Sequence, residues 1–296
     1  MGIGDCIISL AIFFCAGGVA KSSQSKKAVK AKRHCDGRVL PIVMIVSRRT
    51  LYRRSMLVHK IASKISRYLL ALGRARHVDI TDDYVRWLQS INVGYLHYGN
   101  LYSFNYAIQR LPSDAPILEI GSYCGLSTNL LTYYKRKNGA KNPLFTCDRW
   151  EFEDSSHVIV PGTDIPMEQY RAFVKASYLH NVVMFSGTDL PHTIEAFSDE
   201  FFLEWSNRSA VNDVFGRTAG LGGPISFAYI DGNHTYEFVK RDFENCDRFL
   251  ERGGFVLFDD SSDGGNLGST RAAREAGSLL RYEVVAKNPN YLLRKR

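Results

Sequence analysis

The chain has 296 residues, 45% of them apolar and 12% aromatic, with charged residues at an ordinary 23%, so it can build a sizeable core as one large domain or as one domain with an extension. Its formal charge of +8 is unevenly spread. Residues 1–80 hold 16 Lys/Arg against three acids (Asp5, Asp36, Asp79), whereas the remainder is net acidic. The six cysteines are scattered without CxxC spacing, which excludes a disulfide framework or a zinc site and fits a reducing compartment.

Residues 7–20, IISLAIFFCAGGVA, form an apolar run too short for a comfortable membrane span. The preceding MGIGDC lacks the basic residues of a signal peptide. A weak anchor, a cleaved leader and a packed terminal helix are all open. Lys21, Lys26, Lys27, Lys30, Lys32 and Arg33 follow the run, and their position would keep the rest of the chain cytoplasmic, with weak membrane contact at the N-terminus. The same arm holds no aromatic residue between 21 and 33 for base stacking, so specific nucleic-acid binding is not expected. Residues 1–50 therefore read as an apolar, then basic extension.

Leu57, Ile61, Ile65, Leu69 and Leu70 recur at helical spacing over 55–72. Thr81 or Asp82 can cap a further helix with Tyr84, Trp87 and Leu88 on its apolar face, and 101–111 reads as another. These make 51–112 a helical cap segment ahead of a domain at 113–296.

From residue 116 short apolar strands alternate with helices. The strands are expected at 117–121, 144–148, 182–185, 225–230 and 255–260, and the helices at 125–135, 167–178, from near His192, and at 235–251. YEVVA (282–286) and NYLLRK (290–295) follow as a hairpin. The expected fold is α/β: a Rossmann-like, seven-stranded, mostly parallel sheet, helices on both faces, a C-terminal antiparallel hairpin and an N-terminal helical extension. Ligands bind at the carboxyl ends of such strands. Those ends carry Glu119 and Gly121, Asp148, Ser186 and Gly187, Asp231, and Asp259 with Asp260.

The first loop, LEIGSYCGLSTNLL, has glycines at 121 and 125 and leads into a helix, an arrangement in which backbone approaches a ligand closely. Its G-x-x-x-G spacing is neither GxGxxG nor a Walker A loop. E-I-G-S-Y-C-G resembles motif I, E/D-x-G-x-x-x-G, of class I S-adenosylmethionine-dependent methyltransferases, and Asp148 matches the acid that holds the ribose in that family. The resemblance implies S-adenosylmethionine as cofactor. Glu119, Gly121, Ser122 and Gly125 would then line its methionine end, Trp150 would flank the adenosine, and Ser186, Gly187 and Thr188 would lie near adenine.

The segment IDGNHTYEFVKRDFENCDRFLERGGFVLFDD resembles the macrocin-type sugar O-methyltransferases and, more distantly, the catechol-type enzymes. The resemblance, covering about residues 95–296, implies that Asp231, Asp259 and Asp260 bind Mg²⁺. The chemistry agrees, since Mg²⁺ takes hard oxygen ligands and clustered carboxylates repel unless a cation lies among them. His234, three residues after Asp231, is a candidate general base, and Asp231 itself is the alternative. The expected acceptor is a hydroxyl of a small molecule, a sugar or natural product. A metal-independent transferase and a non-catalytic binding protein on the same fold are the rival readings. Tyr236 is expected in the core, and His157 and His192 as structural or exposed. Residues 198–223, ending in FGRTAGLGG, read as a mobile substrate lid or a subunit contact, the latter in a homo-oligomer.

Overall fold

Runs of β-branched and aromatic residues form the strands, and the apolar stripes between them cover the sheet. The computed structural model describes residues 82–151 and 159–296, together with two dipeptide strands, Lys30–Ala31 (β1) and Ile42–Val43 (β2), which pair antiparallel. The chain separates into two units, Met1–Ser66 and Arg67–Arg296; β1 and β2 belong to the first, and all that follows belongs to the second. The apolar run at 7–20, the helix at 55–72 and His157 lie outside the described residues.

Helix α1 (Asp83–Ile91) begins where the Asp82 carboxylate accepts the Val85 N–H at 3.2 Å, an N-cap of the expected kind. Helix α2 (Tyr98–Ile108) follows, with His97 as its N-cap. Then come β3 (Ile117–Ile120), α3 (Leu126–Asn138), β4 (Leu144–Cys147), α4 (Met167–Ser186), β5 (His192–Ile194), α5 (Ser198–Asn207) and a small hairpin of β6 (Ala210–Asn212) and β7 (Thr218–Gly220). β8 (Ile225–Ile230), α6 (Tyr236–Phe249), β9 (Leu250–Phe258), α7 (Gly268–Ser278), β10 (Tyr282–Lys287) and β11 (Tyr291–Lys295) complete the unit.

The main sheet has seven strands in the order β10-β11-β9-β8-β3-β4-β5. The five from β9 to β5 are parallel, and β11 and β10 are antiparallel. Chain order reverses between β3 and β8, which opens a crevice at their carboxyl ends. One face is covered by α5, α6 and α7, with Phe201, Trp205, Phe243 and Ala273 in its core. The other is covered by α1, α2 and α3 through Leu88, Phe104 and Leu130. A third cluster, Cys124, Trp150, Val174, Tyr178 and Val182, holds α4 under the first loop.

The structure departs from the sequence reading in four places. Residues 182–185 are not a strand but the last turn of α4, and the strand is His192–Ile194, where a helix was expected. Val174, Tyr178 and Val182 are buried at intervals of four, whereas Met184 is 74% exposed, so the helical period prevails over the short apolar run. Gly253 and Gly254 lie inside β9 rather than after a helix. Helix α7 was not expected; its buried stripe of Ala272, Ala273 and Ala276 is too small to stand out from a polar sequence. Finally, 198–223 is ordered: Phe202, Trp205, Ala219 and Leu221 are buried in the core, which removes the basis for a mobile lid. Tyr236 packs against the core as expected, with its hydroxyl donating to Glu275 at 2.6 Å.

Candidate active site

The glycine loop and the end of β8 meet at the crevice. Gly121 has φ +81°, and a Cβ there would lie 2.2 Å from the Asp231 carbonyl oxygen, so only glycine lets the two strand ends approach this closely. Gly125, at φ +86°, is the N-cap of α3, and a Cβ there would press on Val182 and Tyr178. The loop amides turn to Asp148. Its carboxylate accepts the Ser122 N–H at 2.7 Å, the Tyr123 N–H at 3.0 Å, the Ser122 hydroxyl at 3.1 Å and the Trp150 N–H at 2.6 Å. Burial raises the Asp148 pKa, and these bonds oppose the shift.

Glu119 and Trp150 do not open onto this rim. Glu119 is wholly buried beneath the loop, where it accepts the Thr128 hydroxyl at 2.5 Å while its other oxygen has no hydrogen-bond partner. Burial pushes its carboxyl up to about 7. The Trp150 ring is buried against Tyr178, with centroids 5.3 Å apart, and its indole N–H donates to the Tyr123 carbonyl at 3.0 Å. Both support the loop from below. Ser186 and Gly187 follow the corrected strand assignment: Ser186 ends α4, buried with its hydroxyl donating to Asn129 at 2.6 Å, and Gly187 and Thr188 form a 3-10 turn. Neither stands at a strand end, so the sequence reason for placing them near adenine fails. The residues that follow the carboxyl end of β5 are Glu195 to Phe197.

Beside the loop, β8 continues one residue past its end through the Asp231 N–H to the Ile120 carbonyl at 2.8 Å. Asn233 then turns the chain by accepting the Thr235 N–H at 2.8 Å, and α6 starts at Tyr236. This turn brings His234 back beside Asp231, with Nε2 3.4 Å from Oδ1. Asp231, His234 and Asp259 each offer a ligand atom, all within 4.8 Å of one another. Asp260, φ +47°, lies outside that group: its side chain is 50% exposed, with Oδ2 3.7 Å from His234 Nδ1. The imidazole therefore lies between two carboxylates. Burial, then the charge of Asp259 and a hydrogen bond with it, drive the Asp231 pKa well up, and burial raises that of Asp259.

Four residues of this site escaped sequence reasoning. Tyr229 donates to Asp231 Oδ2 at 2.9 Å. Asn100, on α2, and Asn290, before β11, both donate to Asp259 Oδ1, the latter at 2.8 Å. His97 accepts the Gly99 N–H through Nδ1 at 3.0 Å; burial lowers its pKa, against the charges of Asp259 and Asp260. No motif marks His97, Asn100 and Asn290, because they come from separate segments that only the fold brings together; Tyr229 lies two positions before Asp231, where strand alternation was the signal that could have found it.

The description "methyltransferase domain" belongs to the family model that matches residues 118–261. Solved structures similar to this chain include the Bacillus cereus O-methyltransferase in complex with SAH, at 13% identity, covering 73% of this chain and 91% of that one, with a TM-score of 0.43. Another is the O-methyltransferase TomG from Streptomyces achromogenes, involved in tomaymycin synthesis, at 11% identity over 72% and 90% of the two chains, TM-score 0.44. A third is the calicheamicin methyltransferase CalS11, at 16% identity over 78% and 91%, TM-score 0.44. Likeness at this level transfers neither an activity nor a substrate from those proteins. The residues matched by the methyltransferase-domain model, 118–261, include the glycine loop and the acids at the chain reversal. Among the described residues no helix is long and apolar enough to cross a membrane.

Proposed function

We propose that the chain transfers a methyl group from S-adenosylmethionine to a hydroxyl oxygen of a small acceptor, with Mg²⁺ held by Asp231 and Asp259 and with His234 as the base. The observation that carries this is the convergence of Asp231, His234 and Asp259 within 4.8 Å at the mouth of the crevice. The donor set fits the ion: two carboxylates from adjacent strand ends whose pKa values are raised by burial first, with the charge of Asp259 adding to the rise at Asp231 and that of Asp260 to the rise at Asp259, and a divalent cation would offset these costs. Mg²⁺ prefers oxygen to nitrogen, so the two acids suit the metal and leave the imidazole for the proton. Asp260 is the remaining oxygen donor on the open side.

When bound, the cation lowers the pKa of a coordinated hydroxyl and fixes its position. His234 Nε2 stands 3.4 Å from Asp231 Oδ1, in reach of a proton leaving a hydroxyl at that site. Tyr229 holds Asp231 from behind. Asp148 fixes the glycine loop and in this reading would bind the ribose hydroxyls, and the left-handed backbone at Gly121 keeps a side chain out of the crevice. Transfer then depends on alignment of the acceptor oxygen with the methyl group. Tyr95, 86% exposed and with its ring 5.8 Å from that of Tyr123 on the glycine loop, offers an aromatic surface that favours a sugar or ring-bearing acceptor.

Two measurements test the reading. Calorimetry with the demethylated donor product should show binding, and its absence would reject the cofactor. Turnover against a panel of sugar nucleotides and catechols, read as release of that product, should stop in EDTA and return with Mg²⁺. Full activity in chelator rejects the metal.

A further inference from the structure

We infer that Asn100 and Asn290 form a two-amide clamp that orients Asp259 for the cation, so that the metal centre is completed by segments on either side of residues 118–261. The inference rests on the metal reading above. The orientation of each amide is dictated by its neighbours. The Ser261 N–H can only donate, and the Asn290 side chain accepts it through Oδ1 at 3.0 Å. The Asn290 NH₂ therefore points the other way, to Asp259 Oδ1 at 2.8 Å and to Asn100 Oδ1 at 3.0 Å. With its oxygen so engaged, Asn100 must turn its own NH₂ to Asp259 Oδ1, and it does so, with Tyr229 Oη at 3.4 Å as a second partner.

Two amide donors thus converge on one oxygen of Asp259, Oδ1, and fix the carboxylate that joins Asp231 and His234. Both amides are buried, so neither serves as a surface contact. The two segments are also locked together. A Cβ on Gly99 would lie 1.4 Å from the Asn288 carbonyl oxygen, so α2 meets the turn at 288–290 without a gap. The Tyr291 N–H donates to the Ser261 hydroxyl at 2.8 Å, which ties that turn to the loop carrying Asp259. Hydrogen-bonded partners of this kind set the rotamer of a ligating carboxylate, and losing one typically lowers metal affinity by about 10–100-fold.

The test is calorimetric titration of the full chain with Mn²⁺ alone, followed separately by titration with the demethylated donor product. Asn290→Ala and Asn100→Ala should each weaken Mn²⁺ binding by about 10–100-fold and leave the affinity for the demethylated product within about twofold. Asn290→Ser is a milder truncation with the same expected loss, should the alanine variant fail to fold. Asp259→Asn is the reference and should abolish Mn²⁺ binding. If wild type and Asp259→Asn behave so while both alanine variants keep wild-type Mn²⁺ affinity, the clamp is overturned and the metal reading stands. Equal loss of both ligands in the folded variants would reduce the amides to structural residues and likewise overturn it. If wild type does not bind Mn²⁺, the metal reading falls and the clamp falls with it.

Discussion

Glu119→Gln isolates the buried carboxyl under the glycine loop and asks what it does to stability. Glu119 is fully buried, one of its oxygens has no hydrogen-bond partner, and burial raises its pKa from 4.5 to about 7. Between those two values the folded protein holds a proton that the unfolded chain has released. Stability therefore falls as pH rises through this window, and it is greatest, for this group, below about 4.5. At 1.36 kcal/mol per pKa unit, the change between pH 5 and pH 8 is about 2–3 kcal/mol. Asp242, raised to about 6, and Asp231, Asp148 and Asp259 shift in the same direction, so the wild-type slope alone cannot be assigned to one residue. The difference between wild type and Glu119→Gln can. Glutamine has the same shape, accepts from Thr128 through its oxygen and carries no charge. Urea denaturation of both proteins should give stabilities close to each other at pH 5, and at pH 8 the variant should be more stable by about 2–3 kcal/mol. Parallel curves across this range, or a gap that opens toward acid, would refute a carboxyl whose charge is penalised by burial.

Asp148→Asn turns an NH₂ group toward a backbone N–H in either orientation, those of Ser122 and Tyr123 on one side or that of Trp150 on the other, and it should weaken binding of the demethylated donor product by about 1.5–3 kcal/mol in calorimetry. Gly99→Ala drives a methyl group into the Asn288 carbonyl and should cost about 1–3 kcal/mol in thermal or urea denaturation. Lys135, buried on α3, pairs at 3.0 Å with Asp189, whose side chain remains well exposed. Lys135→Met keeps the volume and lets Asp189 return to water, so its stability should stay within about 1 kcal/mol of wild type or exceed it, in contrast to Lys135→Ala, which should cost about 3 kcal/mol.

The legible part of the site was the part encoded in contiguous residues. In LEIGSYCG, the glycines at 121 and 125 are required by backbone geometry that nothing else in the chain could supply. In AYIDGNHTY, the strand end, the turn and the helix start lie within nine residues, so Asp231 and His234 could be placed together before any tertiary contact was known. VVMF misled because four apolar residues suit a buried strand and a helix equally well, and the choice depended on what Val182 packs against.

The alternation of short apolar strands with helices along the chain determined the fold class, because a parallel sheet with helices on both faces is the arrangement that buries all of them. The identity of the acids at the rim was likewise written in the sequence. Only the tertiary structure decided their roles. It buried Glu119 and Trp150 under the loop, left Asp260 outside the close group, and drew Asn100 and Asn290 onto one oxygen of Asp259. Those outcomes depend on contacts across as many as 190 positions of the chain, where no local propensity acts and only the packing of completed elements determines which side chains meet.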